Sequence, residues 1–239
     1  MGDNILLKAL RGENRAGRPP IWLMRQAGRY MPEYQKLKEG RALLDLFHDH
    51  DAIVEITQLP AKLLGVDALI LFSDILVIAE VFGLSISFPD KGGPRVEPPI
   101  QSASQVESLK IRSVQDTLWY VFETIRKLKK ILTVPLIGFS GAPFTVASYL
   151  IDSTSKNAFE HTRRWIKEDP ETLHALLIKI TEVTIAYLKA QIKSGVDAIQ
   201  IFDSWANILN DEEFALFSLP YLNLIVKAIK EGLKVIVIE

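Results

Sequence analysis

Cysteine is absent from the 239 residues, and that removes a disulfide framework, a thiolate nucleophile and any zinc site built on cysteine. A reducing compartment is thereby permitted. Net charge is nearly absent as well: 28 Lys and Arg stand against 29 Asp and Glu, a formal −1 at pH 7. The chain therefore lacks the broad basic footprint of a nucleic-acid binder, and any recognition of an anion has to be local. Long apolar runs are missing too, since no window approaches the ~18 uninterrupted apolar residues of a membrane span. The N-terminus, Met1-Gly2-Asp3-Asn4-Ile5-Leu6-Leu7-Lys8, has neither the basic start nor the apolar core of a secretory signal. The expectation is a cytoplasmic protein with no nucleic-acid and no membrane partner.

What is present suits a packed core. With 48% hydrophobic and 24% charged residues, one globular domain over 1–239 is expected. Short β-rich apolar runs, at Ile21-Met24, Ala68-Phe72, Leu136-Phe139, Ala198-Phe202 and Val235-Ile238, alternate with amphipathic stretches near 51–65, 113–131, 170–194 and 211–231. This alternation predicts a parallel α/β sheet or barrel. The segment Gly65-Val66-Asp67-Ala68-Leu69-Ile70-Leu71-Phe72-Ser73-Asp74 returns as Gly195-Val196-Asp197-Ala198-Ile199-Gln200-Ile201-Phe202-Asp203-Ser204. Each copy reads as a helix closed by glycine, followed by a strand with a polar end. By contrast 85–100, rich in proline and glycine, reads as an excursion from the sheet, and Gly92-Gly93 lacks the surroundings of a phosphate loop.

Polar residues cluster where a barrel enzyme needs them, at the expected strand ends: Arg25 and Arg29, Ser73 and Asp74, Ser140 to Pro143, Asp203 and Ser204. Any one cluster alone could equally be a helix cap. Arg25-Gln26-Ala27-Gly28-Arg29 places two guanidiniums four residues apart behind an apolar run, the makings of a clamp for carboxylate or phosphate. His48-Asp49-His50 offers two histidines on different faces of a helix end and no third ligand, so no metal is expected there. His161 and His174 stand alone and read as structural.

The run from Pro20 to Tyr34, PIWLMRQAGRYMPEY, resembles the N-terminal signature of the uroporphyrinogen decarboxylase family, and Phe72-Leu76 (FSDIL) and Gly138-Thr145 (GFSGAPFT) resemble two further segments. The resemblance implies a (β/α)8 TIM barrel, a homodimer, no cofactor and no metal. It also implies conversion of uroporphyrinogen to coproporphyrinogen by loss of four acetate carboxyl groups. Carried over by position, Arg25 and Arg29 hold substrate carboxylates with the backbone and amide of Gln26, Ala27 and Gly28 beside them in the substrate-binding loop, and Asp74 faces the pyrrole N–H groups as transition-state stabiliser. Tyr149 and Ser204 touch substrate carboxylates, while Met24, Ile70 and Phe202 form an apolar collar. Arg25, Arg29 and Asp74 are the expected catalytic set.

Phe144 stands where the family commonly has Trp, and Ile151-Asp152-Ser153 replaces a stretch often ending in Glu-Gly. Five candidate strands are fewer than the eight a closed barrel requires, so the expected fold is an incomplete barrel, with a C-terminal fragment as a possible complementing partner. The alternatives are a zinc- and corrinoid-dependent methyltransferase of the same fold and a non-catalytic anion- or tetrapyrrole-binding fragment.

Overall fold

Gly65 and Gly195 stand just past the helices His50–Leu64 and Pro170–Ser194, with φ of 66° and 115°. Glycine takes this left-handed turn without a Cβ clash and lets each helix hand the chain to a strand. The computed structural model describes residues 4–89, 93–156, 158–230 and 236–238. Six strands are formed among them: β1 (Leu69–Ile70), β2 (Ser85–Ser87), β3 (Arg95–Glu97), β4 (Leu136–Gly141), β5 (Ala198–Phe202) and β6 (Ile236–Ile238). β1, β4, β5 and β6 lie in that order in one sheet, and each neighbouring pair is parallel. The excursion at 85–100 is an antiparallel pairing of β2 with β3. Gly92, Glu231 and Val235, which figure in the expected elements, lie outside the described residues.

Helices cover the sheet. Pro170–Ser194 packs on the helices Trp119–Ile131, Pro143–Asp152 and Leu219–Lys230 and on β4. Its buried positions, Leu173, Leu176, Leu177, Ile180, Tyr187, Leu188 and Gln191 among them, recur at three- and four-residue spacing. The helix expected over 211–231 divides at Ser218, into Asp211–Phe217 and Leu219–Lys230. The one expected over 113–131 divides at Leu118 into Val114–Thr117 and Trp119–Ile131.

One expected strand is not formed. Residues 21–24 carry no ladder, and Ile21, Leu23 and Met24 are about half exposed. The described parallel sheet therefore holds four strands rather than five. The segment is tied to the sheet at Asp67, whose N–H donates to the Ile21 carbonyl (2.8 Å) while its carboxylate accepts the Ile21 N–H (2.7 Å) and a bidentate pair of bonds from Arg18. Both Ile21 backbone groups are thus held by one residue. No further backbone bond continues to β1 among the described residues.

Asp197 does the same in the second copy. Its N–H donates to the Leu136 carbonyl (2.8 Å), and its carboxylate accepts the Leu136 N–H (2.8 Å) and the Lys129 ammonium (2.6 Å). The repeated Gly-Val-Asp is a register pin at the entry to each strand. Asp67→Ala should lower unfolding free energy by about 2 kcal/mol, the order expected for losing charge-assisted hydrogen bonds. Arg18, foremost, and the Ile21 N–H hold the Asp67 carboxyl below its ordinary range. Its contribution is therefore present above the ordinary carboxylate value and fades as pH falls through the lowered one. Denaturation of the two chains at descending pH should show them converging; a difference that persists in acid would show that the carboxylate charge is not the cause.

Gln191 braces the middle of β4. Its side-chain nitrogen donates to the Phe139 carbonyl (2.8 Å) and its oxygen accepts the Phe139 N–H (3.0 Å), both in the buried interior. Gly138 makes room for it, because a Cβ there would collide with the Gln191 carboxamide oxygen.

Candidate active site

The carboxyl ends of β1, β4 and β5 open into a cavity of about 390 Å³. From β1 come Ile70 and the Leu71–Leu76 turn, from β4 Phe139, and from β5 Phe202 with Ser204 and Trp205. Met24, Arg25 and Ala27 of the arginine loop, with Tyr149 of the helix Pro143–Asp152, complete the wall. The expected collar of Met24, Ile70 and Phe202 thus lies at this mouth. So do Arg25, Ala27, Asp74, Tyr149 and Ser204 of the expected site.

β1 stops where Thr57, 1% exposed, reaches across from the helix His50–Leu64 and takes the Phe72 N–H (3.1 Å). The chain then turns, and one oxygen of Asp74 accepts the Leu76 N–H (2.8 Å). No cation among the described residues pairs with this carboxyl. Burial pushes it up to about 6, against the Leu76 bond that lowers it. An acid so placed is short of donors, and a ligand carrying N–H groups or positive charge would restore them.

The arginine loop is a set of turns. Gln26 N–H donates to Leu23 O (3.1 Å), Met31 N–H to Gly28 O (3.0 Å), the Gln35 amide to Arg29 O (2.6 Å), and the Tyr30 hydroxyl to Gln26 O. Arg25 and Arg29 are exposed, and neither guanidinium has a carboxylate partner among the described residues. Arg29 faces a separate cleft of about 600 Å³ with Tyr34, Lys38 and Arg41. Gln26 is 2% exposed with both carboxamide atoms unpartnered, and it does not line either cleft. Gly28 lines neither; a Cβ there would meet only Tyr30, at 3.9 Å.

The β5 end is locked by Asp203. It accepts from the hydroxyls of Thr145 (2.6 Å) and Ser218, and Thr145 accepts the Trp205 N–H (3.0 Å). This buttress leaves Ser204 exposed at the mouth. Trp205 was not singled out by sequence, although it directly follows the polar strand end. His48-Asp49-His50 is structural: His48 packs on Tyr120 at 4.2 Å, His50 bonds Thr124 (3.0 Å), and Asp49 caps its helix and pairs with Arg41 (2.7 Å).

Fold and cavity together define a (β/α)-barrel-type protein with a cavity at the carboxyl ends of its parallel strands, Arg25 and Asp74 on its wall. The profile of the family described as uroporphyrinogen decarboxylase (URO-D) matches residues 1–238. The chain belongs to the uroporphyrinogen decarboxylase family. It is 47% identical over 231 residues to "Uroporphyrinogen decarboxylase" of Protochlamydia amoebophila, covering 97% of this chain and 63% of the relative. It is 44% identical over 229 residues to the protein of that name from Desulfotalea psychrophila, covering 96% and 67%. It spans about two thirds of the length of these relatives. A solved "methyltransferase from Methanosarcina mazei" superposes with a TM-score of 0.74 at 21% identity, over 93% of this chain and 65% of that one, which shows the shared fold. Among the described residues no helix is long and apolar enough to cross a membrane.

Proposed function

We propose that the strand-end cavity receives uroporphyrinogen and that the chain takes part in removing its four acetate carboxyl groups. The observation that carries this reading is a half-buried Asp74 with no cationic partner and an Arg25 with no carboxylate partner among the described residues, both on the wall of one cavity, in a chain of this family. A pyrrole acetate cannot lose CO2 directly, because the electron pair of the breaking C–C bond has no acceptor. Protonation of the adjacent ring carbon creates an iminium cation. The C–C pair then moves into an exocyclic double bond as CO2 departs, and a proton adds to the methylene carbon while the ring proton is lost. One proton is consumed for each CO2.

Asp74 answers the positive charge that exists only after ring protonation, so its attraction is greater in the transition state than in the ground state. Arg25 and Arg29 offset the carboxylates of the macrocycle and orient it, one from each of two clefts served by a single loop. Gln26, Ala27 and Gly28 shape that loop, while Tyr149 and Ser204 offer hydroxyls at the mouth. In this reading no cofactor or metal takes part. A complementing C-terminal segment and homodimerisation are proposed with it.

Arg25→Ala should weaken binding of uroporphyrin, the stable oxidised macrocycle, by roughly tenfold or more, as expected for losing hydrogen bonds between charged groups. Fluorescence quenching measures this, and unchanged affinity in a folded variant would remove the clamp. Anaerobic conversion of uroporphyrinogen tests the reaction itself; a chain that binds the macrocycle without releasing CO2, alone or with a C-terminal complement, would reduce the reading to a binding protein.

A further inference from the structure

We infer that Trp205 is a positioning residue that holds the Tyr149 hydroxyl as a hydrogen-bond donor toward a ligand carboxylate in the strand-end cavity. The inference deepens the decarboxylase reading above and rests on it. Both side chains line the cavity, and the Trp205 indole nitrogen lies 3.3 Å from the Tyr149 hydroxyl. An indole N–H can only donate, so the phenolic oxygen must be the acceptor of this bond. Its own proton is left over. No acceptor among the described residues takes that proton, although Tyr149 is only 6% exposed. A buried donor facing a cavity calls for an acceptor from the ligand.

The surroundings hold this arrangement in place. Phe159 is fully buried and packs edge-on against both rings, at 5.4 Å from Tyr149 and 4.8 Å from Trp205. Ala158 and Phe159 reach that position with φ of 50° and 58°, a left-handed backbone that residues with a side chain rarely adopt. Strain of this kind persists only where the neighbouring structure overrides it, and it concentrates near ligand sites. The Trp205 backbone is fixed through Thr145 to Asp203, so the indole does not rely on its ring contacts alone.

The experiment is a double-mutant cycle on the full chain with Tyr149→Phe, Trp205→Phe and both together. Each variant keeps an aromatic ring, and circular dichroism checks folding. Two probes are used: uroporphyrin by fluorescence quenching, and mellitate, a polycarboxylate without pyrroles, by calorimetry. Each single variant is expected to weaken binding about tenfold, as for one hydrogen bond to a charged acceptor, and the double variant no more than Tyr149→Phe alone. Additive losses, or no loss with Trp205→Phe, would overturn the inference. Coupled losses toward mellitate with no uroporphyrin binding by the parent chain would uphold the positioning role and sink the decarboxylase reading. A parent chain that binds neither probe overturns both.

Discussion

Asp74→Asn is expected to make the ligand-free chain more stable at neutral pH and to abolish turnover of uroporphyrinogen. Burial raises this carboxyl from 3.8 to about 6 with only the Leu76 N–H working the other way. A tenfold change in acid strength corresponds to about 1.4 kcal/mol, so ionised Asp74 costs the folded chain about 3 kcal/mol. The sign follows from linkage. The folded state binds this proton more tightly than the unfolded chain, so the penalty is complete above about 6 and is relieved as pH falls toward 3.8. Asparagine has the same shape and no charge. Its advantage should therefore be about 3 kcal/mol at pH 7.5 and shrink steadily on acidification, as urea denaturation at a series of pH values would show. A gain independent of pH would mean that burial of charge is not its cause. Turnover retained by Asp74→Asn would remove the carboxylate from the proposed chemistry. Loss of activity together with gain of stability is the pattern of a site held in an unfavourable state for its ligand.

Gln191→Leu should cost about 4 kcal/mol, because it strands two buried backbone groups at once, each worth about 1–3 kcal/mol. Leucine has nearly the volume of glutamine, so no large cavity accompanies the loss. The Phe139 N–H and carbonyl would be left without the partners that now stand at 3.0 and 2.8 Å. Against a typical domain stability of 5–15 kcal/mol, such a loss is large. The denaturation midpoint should fall with little change in slope. A drop below about 1 kcal/mol would show that water or a shifted strand replaces the carboxamide. Phe139 also lines the candidate cavity, so weaker uroporphyrin binding by this variant would trace to the position of β4.

The sequence disclosed the parallel sheet because its strands are apolar runs between long periodic helices. Pro170–Ser194 matched its expected bounds through the preceding Asp169 cap and the terminal Gly195. Of the polar strand ends that the sequence singled out, Arg25, Ser73, Asp74 and Ser204 share one cavity, whereas Arg29 faces another cleft and Asp203 is turned to Thr145 and Ser218. Residues 21–24 were misread because an apolar run shows only that a segment could form a strand, whereas Ile21, Leu23 and Met24 are about half exposed and no backbone bond beyond Ile21 reaches β1 among the described residues. Gln191 was hidden by its polarity. It shares the buried face of its helix, where periodicity leads one to expect an apolar side chain. Phe159 gave no signal at all, because its place between Tyr149 and Trp205 depends on a backbone conformation that composition does not encode.

The paired Asp67 and Asp197 pins carry a consequence for how this architecture tolerates change. They grip Ile21 and Leu136 just ahead of β1 and β5, whereas the cavity lies at the carboxyl ends of the strands. Asp197 ties the entry of β5 to the first residue of β4, and a slip of one residue there would turn every side chain of the strand to the opposite face. The pin makes that choice remotely. Residues around the mouth are thereby released from the duty of alignment, and loops there are free to diverge in sequence while the strands beneath keep their places.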